Sequence, residues 1–108
     1  MIVRRLAFVI ASLLAAGCVH FVYSPTTNNS AASKGPGCDF EVFTASPGHD
    51  YVQLGILDIG GDATTAPHSV VKFKEMVRPS VCQAGGDAVI AQVNGFGGYI
   101  HGTVIKYK

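Results

Sequence analysis

Three cysteines and four histidines are the residues of this chain best suited to nucleophilic chemistry, metal binding or covalent linkage. The chain has no Gly-x-Ser-x-Gly nucleophile elbow, and its glycine-rich stretch ILDIGGDATTA lacks the lysine of a phosphate-binding loop. Asp58 and Asp62 lie within that stretch, on either side of Gly60-Gly61, and we interpret them as solvated loop ends. We therefore predict that the protein is not an enzyme, and we expect no cofactor.

The histidines His49, His68 and His101 lack the paired spacing of a helical or finger-like metal site. We interpret each as a surface residue and assign no metal ligand. His101 stands out because it neighbours Tyr99 and Thr103 along a predicted strand, where it could form a pH-sensitive contact in an interface.

The N-terminal segment has the pattern of an export signal. Residues 6–18 read LAFVIASLLAAGC and follow Arg4 and Arg5. This run is too short to cross a bilayer core of about 30 Å, which takes roughly 20 helical residues. Loss of the two arginines with the signal lowers the basic residues from eight to six, against seven acidic residues. Without a basic stripe, nucleic-acid binding is not expected.

The end of the apolar run, LLAAGC, resembles the lipobox of bacterial lipoproteins. The resemblance implies that residues 1–17 are a signal peptide and that Cys18 becomes the first residue, carrying diacylglycerol and a palmitate-type acyl chain. Such chains form a firm membrane anchor. By the sorting rule of enteric bacteria, Val19 after the cysteine implies the periplasmic face of the outer membrane rather than the inner membrane. An ordinary secretory signal with an unrelated Cys18 is the alternative.

A polar stretch follows the predicted anchor. Residues 24–37 read SPTTNNSAASKGPG, a composition that buries too little apolar area to repay chain entropy. We expect residues 18–37 to form a lipidated N terminus and flexible linker, spanning roughly 25 Å on average. Residues 38–108 then form the folded domain.

Hydrophobic periodicity predicts one helix and four strands in the domain. Strands are expected over residues 40–44, 51–59, 88–93 and 99–107, and a helix over residues 69–84. The order β-β-α-β-β predicts a small α+β domain with a four-stranded mixed sheet and the helix on one face. Gly85-Gly86 is expected to cap the helix, and residues 94–98 to form a hairpin loop. Pro79 predicts a kink, or a break that opens a second short helix.

One helix covers only one face of such a sheet, so the other face is left with apolar and aromatic side chains. A face of this kind needs cover from a partner protein, a second copy or the N-terminal segment. Strict alternation along the strands places five interface candidates there: Tyr51, Tyr99, His101, Ile105 and Tyr107.

Cys38 and Cys82 remain beyond the predicted signal, in an oxidising compartment. Cys38 has the strand parity of Phe40 and Val42 and so faces the helix. On a straight helix Cys82 is expected to point away from the apolar stripe, and a kink at Pro79 removes this objection. We predict a Cys38–Cys82 disulfide worth about 4 kcal/mol in the chain-entropy model, with two separate thiols as the alternative.

Three segments, CDFEVF, YVQLGIL, and CQAGGDAVIAQV with IHGTVIKY, occur together over most of residues 38–108. This combination resembles the superfamily that includes the YbjQ-type domains and the Rcs stress-sensor lipoprotein of enteric bacteria. The resemblance implies the fold and a domain on a lipid tether. It does not carry signalling over, because the sensor has four domain cysteines where this chain has two.

Two functional hypotheses follow. The first is a non-enzymatic binding or sensing module, tethered to the membrane by Cys18, whose uncovered sheet face meets another envelope protein or a second copy. The alternative is a periplasmic lipoprotein that binds a metal or small ligand through its histidines.

Overall fold

The computed structural model describes residues 19–26 and 28–108. Within these ranges it contains five strands and one α-helix: β1 (His20–Pro25), β2 (Glu41–Phe43), β3 (Tyr51–Gly60), α1 (Val70–Ala84), β4 (Ala88–Val93) and β5 (Tyr99–Tyr107). A 3₁₀ turn over Ala63–Thr65 precedes the helix. One helix beside one mixed sheet confirms the predicted α+β class.

The sheet has five strands in the order β1-β3-β5-β4-β2. β2 runs parallel to β4, and every other pair of neighbouring strands is antiparallel. The prediction of four strands was therefore wrong by one strand. The additional strand, β1, begins two residues after Cys18 and pairs with β3 from His20–Gly60 to Pro25–Gly55.

β1 joins the sheet because alternate side chains of HFVYSP pack under the helix. The Phe21 ring meets the Phe73 ring edge-on, with centroids 5.2 Å apart. The Tyr23 ring lies across Gly55, where a Cβ atom would stand 2.4 Å from the ring. Glycine is therefore required at position 55, because any larger side chain would displace Tyr23.

The stretch after β1, predicted as a flexible linker, follows the edge of the fold in the part that the structure describes. The backbone N–H of Lys34 donates to the Cys82 carbonyl at 2.8 Å, and its Nζ lies 3.0 Å from the Gly86 carbonyl and 2.7 Å from an Asp87 carboxylate oxygen. Burial raises the pKa of Asp87, but hydrogen bonds from Lys34 and from the Tyr107 backbone N–H outweigh it. The pKa of Asp87 is therefore below its usual value.

The helix has the ends that its sequence predicts. The Ser69 hydroxyl accepts the backbone N–H of Lys72 at 3.1 Å, and Gly85 ends the helix with a left-handed φ of 78°. Pro79 lies inside α1, and the helix continues through it to Ala84, so the predicted break into two helices is absent. Pro79 lacks the N–H that would bond to the carbonyl of Glu75.

Two β-bulges decide which side chains reach the core. The register of β3 against β5 shifts between Gln53 and Gly55, so Leu54 and Leu57 are both buried under the helix. Strict alternation from Tyr51 along β3 would instead place Leu57 on the opposite face. A second shift lies between Gln92 and Val93, beside the start of β5. The core consists of Phe40, Leu54, Leu57, Phe73, Val77, Val81, Val89, Ala91 and Val104.

Candidate functional site

The far face is the side of the sheet opposite α1, and its side chains form rows that cross the strands. The middle row, from β1 to β2, consists of Ser24, Ile56, Thr103, Ile90 and Phe43. Ser24 is exposed, and the other four are partly buried. Because α1, the one α-helix of residues 19–26 and 28–108, packs on the opposite side, solvent partly reaches this row, whose apolar members are Ile56, Ile90 and Phe43.

A polar row lies beside the middle row, nearer the β4–β5 hairpin. It contains Val22, Asp58, His101 and Gln92. His101 Nδ1 and Asp58 Oδ1 are 2.7 Å apart, with 27% of the histidine and 64% of the aspartate side chain exposed. A carboxylate at this distance orients the imidazole ring and selects its tautomer. The pair can therefore present a fixed polar group to a binding partner.

Sequence reasoning singled out Asp58 and His101 separately but did not bring them together. Without the bulge at Gln53–Gly55, alternation would place Asp58 on the helix side of β3, away from His101. For the same reason alternation from Tyr51 would place Ile56 on the helix side, whereas it predicts Ile90 and Thr103 on the far face, where they lie. No local sequence signal marks this bulge apart from Gly55 itself.

Tyr51 and Tyr107, two of the predicted interface residues, face each other across β3 and β5 at the end of the far face away from the hairpin. The His49 ring lies 5.3 Å from the Tyr107 ring. The pKa of the Tyr107 hydroxyl is raised, mainly by burial and to a smaller extent by the negative charges of Glu41 and Asp87. Both tyrosines are half-buried, as are the apolar residues of the middle row.

Of the two other interface candidates, Tyr99 lies on the opposite face from the one that alternation predicted, whereas Ile105 lies on the predicted face. Tyr99 stacks on Phe73 at 5.0 Å between ring centroids, which places it on the helix side. Ile105 is on the far face, between Gln53 and Ala88, but it is fully buried. Ile105 is therefore enclosed, whereas Tyr99 is partly exposed on the helix side of the sheet.

The histidines are spread over the domain. His49 borders Tyr107 at one end of the domain. His68 is at the other end, where it lines a pocket of about 370 Å³ together with Phe96. Within residues 19–26 and 28–108, no group of three or more His, Cys, Asp or Glu side chains could hold a metal ion. A larger pocket of about 470 Å³ lies between β1 and the end of α1, where Tyr23, Ser80 and Asn29 contribute to a mixed lining.

The predicted Cys38–Cys82 disulfide is confirmed, with an S–S distance of 1.99 Å and a Cα–Cα distance of 5.7 Å. Cys82 reaches Cys38 from an unbroken helix because residues 74, 78 and 82 form a stripe beside the core stripe. Lys74 binds the Asp39 carboxylate at 2.7 Å, and Arg78 donates to the Cys38 carbonyl. Hydrogen bonds lower the pKa of Asp39, with that from Lys74 contributing most and that from the Phe40 backbone N–H next.

The predicted signal peptide, residues 1–17, and the predicted lipidation site, Cys18, lie outside the described residues. In the part of the chain that the structure covers, no helix is both long and apolar enough to cross a membrane.

Comparison of the chain with known protein families, with curated proteins and with solved structures finds no match.

Proposed function

We propose that this protein is a cell-envelope lipoprotein, anchored by a lipid on Cys18, whose domain is a non-enzymatic binding or sensing module. Its binding surface is the far face. The observation that carries the proposal is the partly exposed apolar middle row beside the Asp58–His101 pair.

The far face has the composition of a protein interface. Interfaces that form between separately folded proteins place apolar side chains at the centre and polar groups at the rim. Here Ile56 and Ile90 lie in the middle row, and Asp58, His101 and Gln92 form the polar row at its border. The partner is another protein of the envelope, and a second copy of the chain is the alternative occupant.

The anchor is supported by the lipobox-like LLAAGC and by the disulfide. A Cys38–Cys82 disulfide suits a protein that works in an oxidising compartment such as the periplasm. Val19 after the lipidated cysteine favours the periplasmic face of the outer membrane over the inner membrane. In this arrangement the domain stays beside the membrane while its far face meets the partner.

The anchor is tested by labelling with palmitate in a bacterial host. We expect the wild-type chain to incorporate labelled palmitate and the Cys18→Ala chain to incorporate none, because the thiol of Cys18 is the attachment point. Inhibition of lipoprotein signal peptidase should leave a larger, unprocessed form. Release of unlabelled wild-type protein into the periplasm would refute the anchor.

The binding surface is tested by photo-crosslinking in the envelope. A photoreactive residue replaces Thr103 in the middle row or, as the control, Glu75 on the exposed side of α1. We expect a discrete crosslinked species from position 103 and none from position 75. A species of twice the protein's mass would identify self-association, and equal crosslinking from both positions would contradict the assignment of the far face.

A further inference from the structure

The exposed apolar side chains of the domain lie towards the end at which β1 enters the sheet. His20, the first residue of β1, pairs with Gly60, the last residue of β3. The β4–β5 hairpin and the start of α1 lie at the same end, since the backbone N–H of Tyr99 donates to the Pro67 carbonyl at 2.9 Å. We call this the anchored end.

The large hydrophobic residues that are exposed in the described part of the chain are Val22, Val70, Val71, Val93 and Phe96. All five lie in the half of the domain nearest the anchored end. Phe96 is 90% exposed at the hairpin tip, and Val71 is 65% exposed in the first turn of α1. Single exposed apolar residues are ordinary on a protein surface, but a cluster at one end marks a contact site.

The hairpin holds Phe96 in place. The Asn94 side-chain oxygen accepts the backbone N–H groups of Phe96 and Gly98 at 3.0 and 2.9 Å, and Gly97 adopts a left-handed φ of 84°. The exposed ring is therefore presented by a turn that is closed by its own hydrogen bonds. Presenting it to a partner requires little further ordering of the backbone.

The length of chain before β1 decides what this end faces. Cys18 lies two residues before His20, so their Cα atoms can be at most about 7 Å apart. A flexible segment over residues 18–37 would provide a tether of roughly 25 Å. Because β1 belongs to the sheet, residues 20–25 cannot act as part of such a tether. A lipid on Cys18 thus brings the anchored end to the bilayer surface.

We propose that the anchored end is a membrane-contacting surface, with the Phe96 ring and Val71 entering the interfacial layer of the phospholipid bilayer. The proposal rests on the lipidation of Cys18 that the proposed function includes. The opposite end, which carries the Lys34–Asp87 pair and Lys108, then faces away from the membrane. The sheet then stands upright on the bilayer, and its far face opens sideways towards a partner.

The chain provides a direct test because it contains no tryptophan. Mature protein from Cys18 onward is coupled through the Cys18 thiol to a maleimide lipid in phosphatidylcholine vesicles. Cys38 and Cys82 are blocked by their disulfide. Two variants are compared: F96W at the anchored end, and H49W in the exposed β2–β3 loop at the other end. Both positions are exposed, so neither substitution disturbs the core.

We expect brominated acyl chains to quench the tryptophan fluorescence of the F96W protein at least about threefold more than that of the H49W protein. Only the F96W protein should show a blue shift of its emission maximum on the vesicles. Adding V71E to F96W should reduce the quenching. Equal quenching of F96W and H49W would overturn the membrane-contacting surface. Because coupling is chemical, this result is independent of palmitate labelling in cells, so failure of the anchor and failure of the surface are distinguishable.

Discussion

At the scale of single residues, the far face is not uniform. Thr103 and Ile105 are two positions apart on β5, and their side chains project from the same side of the sheet. Thr103 is partly exposed between Ile56 and Ile90, whereas Ile105 is fully buried between Gln53 and Ala88. Solvent therefore reaches the middle row at Thr103, whereas Ile105 is enclosed even though its neighbour Gln53 is exposed.

We expect Ile105→Lys to unfold the domain and Thr103→Lys to leave it folded. A lysine at position 105 would bury an unpaired charge, which costs about 4 kcal/mol or more. A lysine at position 103 can extend into solvent, so the free energy of unfolding should change by less than about 1 kcal/mol. Urea denaturation followed by circular dichroism measures both. Equal stability of the two variants would show that position 105 is not enclosed.

At the scale of elements, β1 closes one side of the core. Its inward side chains, Phe21 and Tyr23, cover Phe73 and Gly55, whereas Val22 points to the far face and is 50% exposed. The same strand determines how near the proposed lipid is to the fold. In the proposed arrangement, pairing of β1 with β3 therefore holds the folded domain next to the lipid.

We expect Phe21→Ala to lower the free energy of unfolding by about 2–3 kcal/mol, because it removes the ring that packs against Phe73. Val22→Ala is the matched control in the same strand and should lower it by less than about 1 kcal/mol. Chemical denaturation of the unlipidated protein provides both values. If the two substitutions lower the free energy of unfolding equally, β1 does not pack against the core in solution.

At the scale of the whole molecule, the disulfide links two distant parts of the chain. Cys38 and Cys82 are 44 residues apart in sequence, and the loop between them contains β2, β3 and most of α1. Closing a loop of this length restricts the unfolded chain more than it changes the native contacts. A domain of this size, with one helix over one sheet, gains much of its net stability in this way.

We expect Cys82→Ser to lower the free energy of unfolding by about 4 kcal/mol in the chain-entropy model. For a domain of this size, the melting temperature should fall by roughly 15 °C or more. Thermal denaturation of the unlipidated protein, with and without reductant, measures the effect.

Cys18→Ser, which keeps the disulfide, should melt like the wild type without reductant and lose stability when reductant is added. Non-reducing peptide mass spectrometry should recover the 38–82 linkage from both the wild type and this control. Alkylation of both thiols without reductant would contradict the pairing.

Local patterns in the sequence determined the α+β class, the helix, its glycine cap and the β4–β5 hairpin. Each of these depends on residues close together in the chain: helical spacing of Phe73, Val77 and Val81, a left-handed Gly85, and the turn formers after Val93. The disulfide could also be predicted, because only two cysteines follow the predicted lipidation site Cys18.

The tertiary structure alone decided the fifth strand and the make-up of the far face. β1 is a short edge strand followed by polar residues, and its stability comes from pairing with β3, whose residues are 30 (Pro25–Gly55) to 40 (His20–Gly60) positions away in sequence. The bulge at Gln53–Gly55 reverses the alternation of β3, which brings Asp58 to His101 and sends Leu57 to the core. Strand periodicity assumes an unbroken pleat, so it cannot assign a face beyond a bulge whose position depends on the neighbouring strand.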